Sequence, residues 1–381
     1  MALHLNEAVL ATEPSAIRRF SRMAAETPGC IALTLGEPDF DTPSPVREAA
    51  VESLRRGETH YIANNGALEL REAISEFERD RNGVSYAPEE IIVTNGATEG
   101  LFSSLFSLIE PGDEVLIPTP AFGLYASIVG LCRGIPRPIP TEETGFQPDP
   151  ERIRAAITPR TKALVLNTPN NPTGCVCTPE TIAAIADVVR AGGIYVLADD
   201  VYRQLSYDGP AASLSDHADL LREQLIVVQS FSKPYAMTGW RMGYLLCDRK
   251  VSEQIAKVHQ YSVVSTSSIS QRAAIEALRW DPAPMRETYR ARRDYALSRL
   301  AAMGLETPHP GGAFYLFPSI ARFGMSSEAF CTRMIREAGL AATPGSCFGG
   351  EGHIRLTYCY ADPQLKEGLD RLERFLHELE G

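Results

Sequence analysis

The sequence predicts an α/β fold, a mainly parallel sheet in the larger part of the chain followed by a smaller α+β unit. Between about residue 90 and residue 250, short β-branched runs alternate with helical stretches. The runs are apolar, as strands covered by helices on both faces require. Beyond that point the texture changes to long helices with only two short strand patterns.

In chain order, the strand patterns cover 91–94, 114–117, 162–167, 194–198, 225–229 and 243–247, with helices predicted over 98–109 and 179–191. Helical periodicity then spans 251–259 and 271–280, and an arginine-rich helix spans 282–303. After Pro308-His309-Pro310-Gly311-Gly312, strands are predicted at 313–317 and 354–358. The expected organisation is an N-terminal segment (1–35) packed with the small unit, a large unit (36–285) and a small C-terminal unit (286–381).

Composition narrows the function classes. A chain of 381 residues exceeds one minimal core. Its 44% hydrophobic and 22% charged content is that of an ordinary globular protein. A net charge of −11 without any lysine/arginine block argues against nucleic-acid binding, which needs many phosphate-neutralising cations. Met1–Glu7 lacks the cationic and apolar regions of a signal peptide. No apolar run approaches the roughly 20 residues that span a bilayer. The eight cysteines form no metal or disulfide pattern, and reduced thiols in the cytoplasm are expected.

The chemistry concentrates at predicted strand ends, where ligands of such sheets sit. Lys233, in Ser230-Phe231-Ser232-Lys233, follows the 225–229 strand, and an amine there can form a Schiff base once its pKa is lowered. Arg241 lies between Gly239 and Gly243, where a guanidinium either pairs with a protein carboxylate or grips a phosphate in bidentate fashion. Pyridoxal 5′-phosphate (PLP) carries both an aldehyde and a phosphate. Asn95-Gly96-Ala97-Thr98 opens a helix whose free N–H groups favour an anion, or Thr98 is simply an N-cap. Asp199 ends another strand and can hold a pyridinium N–H, although it or Asp200 can equally serve as an N-cap. Tyr202 and the amide of Asn171, in Asn170-Asn171-Pro172-Thr173-Gly174, can reach a phenolate oxygen. Arg355 sits in a strand pattern and needs an anion, either a protein carboxylate or a substrate α-carboxylate. Phe122 is a ring-stacking candidate or a core aromatic. There is no GxxxxGK[ST], strand-linked GxGxxG, HExxH or GxSxG.

Taken in order, NGAT (95–98), NNPTG (170–174), ADDVY (198–202), SFSK (230–233), GWRMGY (239–244) and HIRLT (353–357) resemble the class I/II aminotransferases of PLP fold type I. The likeness runs from Leu35-Gly36-Glu37-Pro38-Asp39-Phe40 to the final helix. The resemblance implies a seven-stranded sheet and PLP as cofactor. It implies that Lys233 carries the cofactor and shuttles the proton, and that Asp199 partners the pyridine nitrogen. Asn171 and Tyr202 would serve the phenolate oxygen, and Ala97, Thr98, Ser230 and Arg241 the phosphate, with Phe122 stacking on the ring. Arg355, assisted by Gly36 and Asn171, would bind the substrate carboxylate. Tyr61 would reach the phosphate of a neighbouring subunit in a homodimer.

The implied reaction is ping-pong transfer of an α-amino group from an L-amino acid to a 2-oxo acid such as 2-oxoglutarate. Thr98 stands where some aspartate-specific relatives carry lysine, and 258–271 lacks arginine, which disfavours strict dicarboxylate specificity. GWR and the KVHQY passage are similar to the aromatic and N-acetyl-diaminopimelate aminotransferases, so an aromatic, bulky or N-acyl-diaminopimelate donor is expected. Ile17, Phe20 and Tyr125 are candidates for shaping the side-chain pocket. Two alternatives remain: a β-C–S lyase using the same cofactor residues, and the ligand-binding part of a regulator. The second is disfavoured because only about 30 residues precede the Gly36 motif.

Overall fold

The alternation of apolar strands and helices resolves into a seven-stranded sheet, with strands side by side in the order Ile91–Thr94, Gly243–Cys247, Leu225–Ser230, Tyr195–Asp199, Thr161–Asn167, Glu114–Thr119 and Ile135–Pro140. Gly243–Cys247 runs antiparallel to both neighbours, and every other pairing is parallel. The computed structural model describes residues 4–380; residues 1–3 of the expected N-terminal segment and Gly381 of the expected C-terminal unit lie outside the described residues.

The six strands expected between residues 91 and 247 are present with ends extended or shifted by a residue or two, while the later two are shortened to Tyr315–Leu316 and Ile354–Thr357. The seventh strand that the resemblance implies is Ile135–Pro140, which no local strand pattern marked and which carries Pro136, Pro138 and Pro140. Its position explains the prolines. It is an edge strand paired only with Glu114–Thr119, so one side of its backbone needs no ladder donors.

Side chains alternate between two apolar layers with the period of two that a strand imposes. Along Thr161–Asn167, Leu164 and Leu166 enter one core with Ile74, Ile185 and Ala273. Ala163 and Val165 enter the opposite core with Leu101, Leu105 and Ile255. Both layers exclude water, which accounts for the near-continuous apolar strands.

A third core gathers later elements around Leu300, Phe314, Phe330, Ile354 and Leu372. The Ala16–Glu26 helix contributes Phe20 and Ala24 to it, and Ile31–Ala32 pairs in parallel with Leu340–Ala341. Tyr202, Leu205 and Tyr207, just past the Tyr195–Asp199 strand, insert into the same core. The strand ends of the large sheet therefore abut Tyr315–Leu316 and Ile354–Thr357, which form the other wall of a cleft. Among the described residues, no helix is long and apolar enough to cross a membrane and no acidic, His or Cys cluster could hold a metal. All eight cysteines are free.

The helix Ala97–Leu108 starts directly above Gly243. A Cβ there would stand 2.8 Å from both Ala97 N and Gln229 O, closer than real side chains approach backbone. Gly243→Ala is expected to cost about 1–3 kcal/mol, read as a lower midpoint of chemical unfolding with unchanged slope.

Candidate active site

The carboxyl ends of Thr161–Asn167, Tyr195–Asp199 and Leu225–Ser230 open into a cavity of about 480 Å³. Every residue singled out from the sequence lines it except Tyr61 and Phe20. Parallel strands deliver their carboxyl ends to one edge, so residues far apart in the chain meet there.

Lys233 follows the Leu225–Ser230 strand, and its Nζ donates to the Gly36 carbonyl oxygen at 2.6 Å. The residue is half-buried because its remaining exposure is to the cavity itself. Burial pulls its ammonium down to about 8; Arg355 and Arg241 act in the same direction, while Cys359 and Glu37 oppose it. Asp199, the last residue of its strand, is buried and accepts a hydrogen bond from the Tyr125 hydroxyl at 2.5 Å. Burial raises its carboxyl to about 6, against the pull of Tyr125, the Val201 amide and Lys233. It is thus mainly ionised near neutrality, and among the described residues it forms no ion pair. Neither Asp199 nor Asp200 caps a helix with its side chain.

At another corner, Gly96 is the N-cap of Ala97–Leu108, and the first-turn amides of Ala97 and Thr98 have no intrahelical partner. Arg241 lies directly over this helix start. A Cβ on Gly96 would stand 2.5 Å from its Nη2. Arg241 adopts a left-handed backbone (φ 53°), donates from Nη1 to the Thr238 carbonyl at 2.9 Å and keeps the rest of its exposed guanidinium free. Ser230 completes the corner, its hydroxyl accepting from the Ser232 N–H at 3.0 Å. The convergence of amides, hydroxyl and guanidinium suits a phosphate.

Arg355, on Ile354–Thr357, is 2% exposed. It donates from Nη1 to Asn171 Oδ1 at 2.8 Å and from Nη2 to the Thr34 carbonyl at 2.5 Å. The Tyr315 and Phe348 rings flank it at 4.6 and 4.7 Å. Its Nε has no partner, and among the described residues no carboxylate pairs with it. Asn171 spends its oxygen on Arg355, which leaves its amide hydrogens free for the cavity. Tyr202 is buried with its hydroxyl 2.7 Å from that of Tyr315. Phe122 and Ile17 stand half-buried on the lining.

The sequence matches the family model for aminotransferase class I and II over residues 28–372. It is 41% identical to the probable N-acetyl-LL-diaminopimelate aminotransferase of Bacillus subtilis, over 98% of this chain and 95% of that one. It is 40% identical to aromatic-amino-acid aminotransferase 2 of Thermococcus litoralis, over 98% of each. The solved aspartate aminotransferase of Thermus thermophilus with maleate superposes with a TM-score of 0.93 at 39% identity, covering 98% of this chain and all 100% of that one.

The chain belongs to the class I and II aminotransferases.

Several features of this aminotransferase escaped the sequence reading. Tyr125, expected to shape the side-chain pocket, lines the cavity and also donates its hydroxyl to Asp199, a contact that was not foreseen. A buried tyrosine hydroxyl needs a partner, and Tyr125 lies three residues beyond Phe122, which was the available signal. Phe20, also expected at the pocket, is fully buried in the third core and does not line the cavity. Ser15, Arg18 and Ser21 of the same segment line the cavity instead. Tyr61 is 89% exposed and does not line this chain's cavity.

In the cofactor-free enzyme, competitive acetylation read by mass spectrometry should show the free amine of Lys233 emerging as pH rises through about 8. A midpoint near the ordinary 10.5 would contradict the desolvated environment assigned to it.

Proposed function

We propose that the cavity binds PLP and catalyses ping-pong transfer of an α-amino group between an L-amino acid and a 2-oxo acid. The observation that carries the reading is a set of unmatched charges in one cavity. Asp199 is a buried carboxylate without a cation, Arg355 is a buried guanidinium without an anion, and Lys233 is an amine with a depressed pKa. Isolated buried charges are costly, so each calls for a ligand group of opposite sign. The pyridine N–H, phosphate and aldehyde of PLP answer Asp199, the Ala97–Arg241 corner and Lys233. A substrate α-carboxylate answers Arg355.

Bound there, PLP supplies an aldehyde that condenses with amines and a protonated ring that accepts the electron pair left when Cα loses its proton. The protein's part follows from its own groups. Asp199, steadied as an anion by Tyr125, would hold the ring N–H, while the Asn171 amide and Tyr202 hydroxyl would donate to the ring oxygen. Ala97, Thr98, Ser230 and Arg241 would hold the phosphate, and Phe122 would cover the ring. Arg355, braced by Asn171 and backed by Gly36, orients the substrate carboxylate. Lys233, an amine with a lowered pKa, would serve as the general acid–base that takes the proton from the substrate Cα and returns it.

Tyr61 fits this scheme as a residue given to a partner's phosphate in a homodimer. Its near-complete exposure, shared with Tyr261 (89%), leaves large aromatic surface for a second copy to cover. Leu35, Leu101, Phe122 and Leu124 give the cavity apolar lining, which supports an aromatic or otherwise bulky donor, with N-acyl-diaminopimelate among the candidates and 2-oxoglutarate as acceptor. The composition and the absence of a spanning helix among the described residues suit a cytoplasmic setting.

Borohydride reduction of the loaded enzyme should fix the cofactor to Lys233, and a label on another lysine would overturn the assignment. Asp199→Ala should retain cofactor but lose most transamination, and near-normal turnover would sink its role. Arg355→Leu should lower kcat/KM roughly a hundredfold for amino and 2-oxo acids alike, since it removes a charge-paired contact. A donor screen that follows the spectral change of bound PLP, with 2-oxoglutarate and pyruvate as acceptors, decides the substrates. Ammonia and pyruvate released without an acceptor would indicate elimination instead.

A further inference from the structure

Behind the phosphate corner lies a buried histidine–carboxylate contact that the reaction does not use. His259, on the Arg249–Val263 helix, is fully buried. Its Nδ1 stands 3.1 and 3.2 Å from the two carboxylate oxygens of Glu99, and its Nε2 stands 2.9 Å from the Asn64 carbonyl oxygen. A carbonyl oxygen only accepts, so Nε2 bears hydrogen. The Glu99 carboxylate also accepts from the Asn95 N–H at 3.0 Å and from the Ser103 hydroxyl, which leaves Nδ1 as a donor as well. A ring donating from both nitrogens is an imidazolium. Burial pushes Glu99 up, but the hydrogen bond and charge of His259, with Ser103 and the Asn95 amide, hold it below the usual carboxylate range.

Both partners belong to elements that serve the active site in the proposed function. Glu99 is in the first turn of Ala97–Leu108, and its bond to Asn95 closes the turn from which the Ala97 and Thr98 amides project. Asn64 lies three residues beyond Tyr61. The Asn64 side chain donates to the Ala256 carbonyl at 3.0 Å, on the helix that carries His259. Val93 N–H donates to the Asn65 carbonyl at 3.0 Å, tying the same segment to the strand that leads into the phosphate corner.

We propose that His259 is a positioning residue: as an imidazolium between Glu99 and the Asn64 carbonyl, it locks the phosphate corner of one active site to the segment that presents Tyr61 to the partner's active site. The inference rests on the proposed roles of Ala97, Thr98 and Tyr61. It makes the two phosphate sites of a dimer share one internal brace, with Glu99 setting the near site and Asn64 the far one.

The test uses the full-length enzyme. Nitrogen-15 NMR of the histidine-labelled protein should show both His259 ring nitrogens protonated, and a neutral ring overturns the proposal. His259→Gln and Glu99→Gln should each weaken binding of inorganic phosphate and of PLP to the cofactor-free protein by roughly tenfold, the loss of one charge-assisted bond. The double variant should be little worse than either single one. Hydrogen exchange should rise together over 61–66 and 95–99. Unchanged phosphate and PLP affinity with only a lower melting midpoint would reduce the pair to a structural one and refute the claim. If the variants do not fold, the wild type still decides: phosphate must increase protection over 61–66, and its failure to do so is a refutation. Arg241→Gln separates the two readings. Unaltered phosphate affinity in that variant defeats the phosphate corner, whereas a loss there beside a normal His259→Gln defeats only the brace.

Discussion

The cavity is organised around a guanidinium that the fold buries without an anion. Arg355 is almost wholly removed from water, yet its contacts are a side-chain amide, a backbone carbonyl and two aromatic faces. These neutral groups orient the charge and offset part of its desolvation, but none neutralises it. A carboxylate from the protein would satisfy the arginine permanently and close the site. The neutral cradle instead keeps it rigid and available, a preorganised arrangement whose cost the surrounding packing must carry. Asn171 is the hinge of this logic, because its oxygen steadies Arg355 while its amide hydrogens remain for a second ligand group.

Such a site is possible because the parallel sheet and the third core meet edge to face. The sheet brings Asn167, Asp199 and Ser230 to one rim, each at the carboxyl end of a strand. The Asn167 amide donates to the Asp199 carbonyl and its oxygen receives the Asn171 N–H, both at 2.8 Å, so adjacent strand ends are fastened to each other. Across the gap, Ile354–Thr357 and Tyr315–Leu316 supply Arg355 and Tyr315 from an independent apolar core. Neither half holds a complete site.

What the sequence disclosed and what it withheld divide along physical lines. The apolar strands and the polar residues that follow them were legible, because burial on two faces and loop chemistry leave local signatures; Lys233, Asp199, Arg241 and Arg355 all stood out that way. The Ile135–Pro140 strand was hidden because its prolines deny it strand character, and only its edge position, a property of the whole sheet, permits them. The Tyr125–Asp199 and His259–Glu99 contacts join residues 74 and 160 positions apart, a separation that no local pattern encodes. Phe20 and Arg18 show the same limit on a smaller scale. Both sit in the first turns of one helix, and which one faces the cavity depends on how that helix docks.

The consecutive carboxylates Asp199 and Asp200 show how the fold turns one chemical group into two. Residues next to one another at a strand end point to opposite faces. Asp200 is turned behind the sheet, where the Ser213 and Ser215 hydroxyls bond its Oδ2 and Arg203 stands 3.6 Å away. Burial raises it to about 7 against those partners, and its second oxygen, Oδ1, is buried without a hydrogen-bond partner. Asp199 receives one tyrosine hydroxyl and a long contact from the Val201 amide, and its remaining capacity faces the cavity. A single hydroxyl steadies the anion without cancelling its charge, so a cationic N–H arriving from a ligand meets a carboxylate already desolvated and aimed. Placing an arginine beside Asp199, as Arg203 stands beside Asp200, would leave less field for the ligand to feel.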